Sequence, residues 1–214
     1  TMKALADIVH QGKALYVGLS NYPADRVKEA SKIIQKYGVK LLIHQPSFSM
    51  LNRWIQDEGL VDVIEEEKMG IIPFSILSQG LLTEKYITGV PLDSRAGNPD
   101  VPFLNKGNIT PELVNKLERL KEIANKRNQS MAEMAVSWTI SQKGITSALI
   151  GVSRLSQLTS NLHALENTVF TKEELEILIE DDISQASNFG MYLDYKTVLK
   201  NYLEDYQIKG ENNG

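Results

Sequence analysis

Short apolar runs alternate along the chain with longer segments whose apolar residues recur at helical spacing. Val27, Ala30 and Ile34 lie on one face of such a segment, and Gly38 follows where a helix would end. The pattern predicts strands at 14–19, 41–43, 70–77 and 146–150. It predicts helices at 2–12, 23–37, 60–68, 111–125, 130–141, 155–165 and 171–183, with a long, mostly irregular segment at 80–109.

This repetition of strand and helix predicts an α/β fold with parallel strands joined by right-handed crossovers. The runs are apolar throughout, as expected of strands buried on both faces. Four such units suit either a doubly wound open sheet or part of a (β/α)8 barrel. Polar residues such as Asn21, Gln45 and Ser75 fall at the C-terminal ends of the predicted strands. Because a barrel has its active-site rim at the C-terminal ends of its strands, this placement favours the barrel.

Residues 151–154 join the last predicted strand to a helix and have the sequence Gly-Val-Ser-Arg. A helix N-terminus offers unpaired N–H groups and a positive partial charge, which suit a phosphate. Gly151 would let the backbone approach, Ser153 would donate a hydrogen bond and Arg154 would make a bidentate contact. An arginine with no acidic residue close behind it favours NADP over NAD. Alternatively, Ser153 is only a helix cap and Arg154 only a solvated charge.

Three further residues suit a nicotinamide. The side-chain amides of Asn21 and Gln45 can donate and accept, which matches a carboxamide, but either could instead cap the backbone at a strand end. Phe74 could stack on the nicotinamide ring, or it could be a core aromatic. His44 precedes Gln45, and successive strand residues point to opposite faces, so we predict that His44 faces the helices and has a structural role.

Composition narrows the classes of function. A net charge of −4 gives no electrostatic basis for a nucleic-acid partner. The chain has no cysteine, no signal-peptide pattern at its start and no apolar stretch near the roughly 20 residues that span a bilayer. We therefore expect a cytoplasmic protein with no membrane partner and no metal site.

Several stretches together resemble the aldo-keto reductase family. They are ALYVGLSNY, LLIHQPSFSMLNRW, IIPFSILSQGLLTEKY, DSRAG and IGVSRLSQLTSNLHAL, in the order in which that family has them. The resemblance covers about residues 2–182 and is strongest to the branch of L-glyceraldehyde 3-phosphate reductases and potassium-channel β subunits. It implies a (β/α)8 TIM barrel of which this chain supplies about strands 5–8 and their helices.

The resemblance also implies a role for individual residues in binding NADP(H). Those expected at the nicotinamide are Ser20, Asn21 and Gln45 on the carboxamide and Phe74 on the ring. Those expected at the phosphates are Ser75, Leu77, Ser78 and Gly80, with Lys85 and Arg95 reaching over from the 80–109 segment. Those expected at the adenosine end and its 2′-phosphate are Gly151, Ser153, Arg154, Gln157 and Asn161.

The catalytic residues of the family are Asp, Tyr, Lys and His, and no position in this chain matches them. The resemblance therefore implies a parent protein that reduces small aldehydes or ketones, such as glyceraldehyde 3-phosphate or methylglyoxal, with NADPH. We expect the 214 residues alone to be inactive. The alternatives are a non-catalytic half barrel that binds NADP(H) weakly or pairs with a second copy through its sheet edges, and a redox-sensing subunit.

Residues 184–214 extend beyond the resemblance. An aromatic and aliphatic stripe there predicts an amphipathic helix, with Tyr195, Val198, Leu199, Tyr202, Leu203 and Tyr206 at helical spacing. We expect it to pack on its own barrel, with a subunit contact or a cover over the open side as alternatives. The chain is accordingly divided into a half barrel at 1–183 and a tail at 184–214.

Overall fold

The computed structural model describes residues 1–101 and 104–180. The helices are α1 (Met2–His10), α2 (Ala24–Gln35), α3 (Trp54–Asp57), α4 (Leu60–Glu66), α5 (Pro111–Lys126), α6 (Met131–Ser141), α7 (Leu155–His163) and α8 (Lys172–Glu180). The strands are β1 (Val17–Ser20), β2 (Leu41–Gln45) and β3 (Gly70–Ile71). Within these described ranges, no helix is both long enough and apolar enough to cross a membrane. The predicted tail at 184–214 lies outside them.

The three strands form one parallel sheet in the order β1-β2-β3. In its register Val17 pairs with Leu41, and Ser20 pairs with Gln45, so β1 and β2 end side by side. Among the described residues β1 pairs only with β2, and Leu15 and Tyr16 just before it are 82% and 69% exposed. The parallel sheet and the alternating helices confirm the predicted α/β class.

The prediction of a fourth strand at 146–150 is wrong. The segment runs parallel to β3, with a single bridge between Ile71 and Ile145 and hydrogen bonds from Thr146 N to Ile71 O (2.9 Å) and Leu149 N to Pro73 O (3.0 Å). The return bonds are missing for two reasons. The Ile71 N–H donates to Thr146 Oγ1 (3.3 Å) instead of a backbone carbonyl, and Pro73 has no N–H. The segment therefore lies against the sheet without joining it as a strand.

The third strand is also shorter than the predicted 70–77. Regular pairing ends at Ile71, two residues before Pro73. Phe74 still forms an isolated parallel bridge with Ser47, so the chain stays extended to that point. Ser75 then adopts a left-handed conformation with φ of 57°, which turns the chain away from the strand direction.

Two glycines allow the parallel segments to approach closely. A Cβ on Gly18 would lie 2.6 Å from the Ile43 carbonyl oxygen of the neighbouring strand. A Cβ on Gly70 would lie 2.8 Å from Thr146 Oγ1. Both distances are shorter than van der Waals contact, so neither position accepts a side chain without moving its neighbour.

The irregular 80–109 segment is anchored in the core. Leu82, Tyr86 and Leu104 from this segment are almost fully buried. The Tyr86 hydroxyl accepts a hydrogen bond from the Ala96 backbone N–H (3.4 Å), which joins two parts of the segment. The segment is long and mostly irregular, as predicted. Its burial was not predicted, because its composition resembles that of a surface loop.

The buried Arg127 guanidinium fastens α8 to the rest of the fold. It donates to Gln129 Oε1 (2.9 Å), to the carbonyl oxygens of Val169 and Asn167 (2.9 and 2.8 Å) and to Glu174 Oε2 (2.7 Å). Its centre also lies 3.7 Å from the centroid of the Phe170 ring. Because both the charge and the N–H groups are matched, a buried cation is tolerated here.

We expect Gly18→Ala to destabilise the fold by about 1–3 kcal/mol, because the added methyl would overlap the Ile43 carbonyl. Urea unfolding followed by circular dichroism measures this change. Gly151→Ala is the matched control, since a Cβ there meets nothing within 4 Å. Equal stability of the two variants would contradict the proposed close approach.

Candidate cofactor site

The ends of β1 and β2 bring three of the predicted site residues together. Ser20 and Gln45 are register partners, and the Ser20 hydroxyl donates to the Gln45 carbonyl oxygen (2.8 Å). Asn21 follows with φ of 55°, and its Oδ1 accepts a hydrogen bond from the Ser47 backbone N–H (2.9 Å). The Asn21 carbonyl therefore caps the backbone, as the alternative interpretation held. Its amide nitrogen donates to no other group in the described part of the chain.

Phe74 lies directly beside this pair of strand ends. Its backbone N–H donates to the Pro46 carbonyl (2.9 Å), and its carbonyl accepts from the Phe48 N–H (3.2 Å). The side chain is only partly buried, unlike that of Phe48, which is 1% exposed and stacks on Trp138 at 5.2 Å. Phe74 is thus not one of the fully buried aromatics of the core, and part of its ring remains accessible.

The segment after Phe74 has an unusual backbone. Ser75, Ser78 and Gln79 have positive φ angles of 57°, 46° and 60°, and Gly80 has 93°. Leu77, before Ser78, has φ of −98° and ψ of 13°. The N–H groups of Ser78, Gly80 and Leu81 close turns within the segment, on the carbonyl oxygens of Ser75, Leu77 and Ser78 (2.7, 2.8 and 3.0 Å). Left-handed conformations at non-glycine residues cost free energy and concentrate at functional sites.

Side chains around this segment have other partners. The Ser78 hydroxyl is buried against the Ser49 hydroxyl at 2.6 Å, and the Ser78 backbone N–H donates to the Ser75 carbonyl oxygen (2.7 Å), so both groups have partners within the protein. Arg95 donates to the Gln79 side chain, which holds it next to the turn. Lys85 is exposed and forms no ion pair within residues 1–101 and 104–180, and no contact of its own brings it to the turn.

The start of α7 holds the other predicted residues. Gln157 Oε1 accepts hydrogen bonds from both the backbone N–H of Ser153 (2.8 Å) and its hydroxyl (3.2 Å). Arg154 is the N-cap residue of α7, is exposed, and forms no ion pair with the described residues. Asn161 lies two turns further along the same helix and is 8% exposed. The interpretation of Ser153 as a plain helix cap is wrong. Its hydroxyl donates to Gln157 Oε1, and the N-cap residue of α7 is Arg154.

A small apolar cluster joins the two parts of the site. Ile76, from the turn after Phe74, is buried with Val136 and Ala164, and Ile150 packs against them. Ile150 immediately precedes Gly151, and Ala164 follows α7. The turn and the start of α7 therefore lie on the same side of the protein, which the strand ends also face.

His44 lies beneath this rim and is fully buried, in keeping with the predicted structural role. Its Nε2 is 3.1 Å from the Tyr22 carbonyl oxygen, so Nε2 carries the proton and donates. Its Nδ1 is buried without a hydrogen-bond partner. Burial lowers the pKa of His44 to about 4, against a smaller opposing effect of the Tyr22 carbonyl. The ring is therefore neutral at physiological pH.

Ser47 and Ser49 also shape the site, although the sequence pattern did not single them out. Ser47 positions Asn21 and Asn52 (Nδ2 to Ser47 Oγ, 3.0 Å), and its carbonyl accepts the Trp54 indole N–H (2.7 Å). Both serines lie in the SFS stretch directly after β2. That position at a strand end was the available signal, but serine is too common in loops to stand out there.

Comparison with known proteins identifies the family. The family model described as "Aldo/keto reductase family" matches residues 1–181. The chain belongs to the aldo/keto reductase family. This assignment confirms the resemblance stated from the sequence, and the family implies a (β/α)8 barrel.

Two kinds of relative match this chain. An L-glyceraldehyde 3-phosphate reductase of Escherichia coli (strain K12) is 45% identical over 178 residues, which is 82% of this chain and 51% of the relative. A protein named probable voltage-gated potassium channel subunit beta from Oryza sativa subsp. japonica is 26% identical over 168 residues, 78% of this chain and 51% of that protein. The chain thus spans about half the length of the curated relatives it matches.

The depressed pKa of His44 makes folding of this aldo/keto reductase chain sensitive to acid. The unfolded histidine takes up a proton near pH 6.5, whereas the folded one resists protonation until about pH 4. The stability of the fold that depends on a neutral His44 is therefore complete above pH 6.5 and is lost as pH falls toward 4. We expect this residue alone to lower the free energy of unfolding by about 3 kcal/mol over that range.

The measurement is urea unfolding at pH 7 and pH 4.5 for the wild type, His44→Gln and His10→Gln. The loss between the two pH values should be smaller in His44→Gln and unchanged in His10→Gln, whose imidazole is exposed. If the wild type and His44→Gln lost the same free energy of unfolding between the two pH values, His44 would not be the source of the acid sensitivity.

Proposed function

We propose that this chain binds NADP(H) along the rim formed by the ends of β1 and β2, the turn after Phe74 and the start of α7. The observation that carries the proposal is the pair of hydrogen bonds from Ser153 to Gln157 Oε1. A carbonyl oxygen there accepts a backbone N–H and a hydroxyl at a helix N-terminus, which are the donors that a phosphate oxygen needs. The site therefore fits the phosphate end of a dinucleotide.

Arg154 supplies the charge for that phosphate. Its guanidinium is exposed and has no carboxylate partner in the described part of the chain. A guanidinium can bind a phosphate through two parallel N–H donors. We assign it to the 2′-phosphate that distinguishes NADP from NAD, with Asn161 further along α7 toward the adenine.

The other end of the cofactor meets the strand ends. The free amide nitrogen of Asn21 and the side chain of Gln45 supply donors and acceptors for a carboxamide. The partly accessible Phe74 ring offers a flat apolar surface for the nicotinamide. Between them, we assign the left-handed turn at 75–80 to the pyrophosphate.

The reaction that we propose is the reduction of a small aldehyde or ketone by a protein that contains this chain. NADPH, when bound, supplies hydride to a carbonyl carbon. The residues of this chain bind and orient the dinucleotide, and the group that protonates the carbonyl oxygen is not among them. The L-glyceraldehyde 3-phosphate reductase relative supports a phosphorylated or otherwise small carbonyl substrate.

Replacing Arg154 should weaken NADPH binding about 10- to 100-fold and leave NADH binding unchanged, because only NADPH carries the 2′-phosphate. Fluorescence titration with each nucleotide measures both affinities. Arg26→Ala is the matched control, since Arg26 is an exposed arginine of α2 that pairs with Glu29 and is not among the residues assigned to the cofactor. An equal loss for both nucleotides would assign Arg154 to another role.

The purified 214-residue chain should show no aldehyde-dependent oxidation of NADPH above the buffer blank. General acid catalysis alone contributes about 10²- to 10⁴-fold, and here the acid and its supporting groups have no counterpart. The assay follows NADPH absorbance with glyceraldehyde 3-phosphate and methylglyoxal, at a nucleotide concentration that the titration shows to be saturating. Measurable turnover would contradict this assignment of roles.

A further inference from the structure

A second cavity lies outside the cofactor rim. Its volume is about 470 Å³, within the roughly 300–1,000 Å³ typical of small-molecule sites. It is lined by the α3 region, the C-terminal end of α6, the 168–170 segment and α8. None of the residues assigned to NADP(H) lines it. Ser141 and Val169 are exposed, so the cavity opens to solvent on that side.

Arg53 is the cationic group of this cavity. Its guanidinium lies 4.9 Å from the centroid of the Trp138 ring, which fixes its orientation. One of its five N–H donors has an acceptor, the Leu178 carbonyl oxygen (3.0 Å). Its Nε is buried and has no hydrogen-bond partner. No carboxylate of the described residues forms an ion pair with it.

Comparison with Arg127 shows how unusual the unused N–H donors of Arg53 are. Arg127 has a carboxylate, two carbonyls and an amide oxygen as acceptors. Arg53 is also largely removed from water, and this desolvation lowers the pKa of its guanidinium despite the opposing charge of Asp57 nearby. A desolvated cation with unused donors beside an open cavity is costly unless an anion can reach it.

The remaining walls indicate what kind of anion fits. Half of the lining residues are aromatic or aliphatic, among them Phe170 and Leu175, and the other half are polar. The side-chain amides of Gln56 and Gln142 are bonded to each other at 3.0 Å, so they form part of the wall. Lys143, which follows Gln142, is paired with Asp62 and Glu65 and adds no free charge.

We propose that this cavity binds a small organic carboxylate, whose oxygens accept the unused N–H donors of Arg53 and whose apolar body packs on Phe170 and Leu175. The site is independent of the proposed NADP(H) rim. The carboxylate matches the planar guanidinium, and the apolar side chains of the wall favour an organic acid over inorganic phosphate.

Benzoate and benzamide test this on the full chain, because they have nearly the same shape and differ in charge. The readout is the indole N–H signal of Trp138 in ¹⁵N–¹H spectra at constant ionic strength, identified with the Trp138→Phe variant. We expect benzoate to shift this signal and to bind at least about tenfold more tightly than benzamide. Inorganic phosphate should leave it unchanged.

Variants locate the site. Arg53→Gln should abolish the preference for benzoate over benzamide, whereas Arg154→Gln, at the cofactor rim, should keep it. Equal binding of benzoate and benzamide by the wild type would overturn the proposal without any variant.

Discussion

The close approach of parallel chain segments at Gly18 and Gly70 is the constraint on which the rest of this structure depends. Any side chain at Gly18 would overlap the Ile43 carbonyl, and any at Gly70 would overlap Thr146. That approach coincides with the register shift between Val17 and Gly18, after which Ser20 pairs with Gln45 and donates to its carbonyl oxygen. The alignment of the candidate cofactor residues is therefore a consequence of backbone packing, and the polar side chains at the rim are added to it.

The predictable parts of this fold are those in which local chemistry and tertiary packing agree. The caps of α5 and α6 are examples, since Thr110 and Ser130 accept the N–H groups that their positions in the sequence indicate. The segment at 146–150 has the apolar composition of a strand, but it could form a strand only by pairing with residues 71–73. There Pro73 has no N–H and the Ile71 N–H donates to a side chain. The residues of 146–150 alone do not reveal what their neighbour in the fold can donate.

The candidate site also has a part that could be predicted from the sequence and a part that could not. Asn21, Gln45 and Arg154 could be selected as candidates from the sequence because of their positions at strand ends and a helix start, although Asn21 also caps the backbone there. The Ser153–Gln157 pairing and the Ser49–Ser78 contact could not, since both depend on side-chain orientation. Three of the arginines show why residue type alone is a weak guide to the role of a side chain. Arg127 is neutralised by Glu174, Arg53 is desolvated without a carboxylate, and Arg154 is exposed.

The exposed side of β1 has a practical consequence. A strand with one unpaired edge, preceded by the exposed Leu15 and Tyr16, is a template on which further strands can assemble. Lys13 is the nearest charge that could discourage such growth, and it lies before the apolar pair rather than within the strand. We expect strands of further copies to add at this edge at high protein concentration, and Leu15→Lys would be a direct means of opposing that growth.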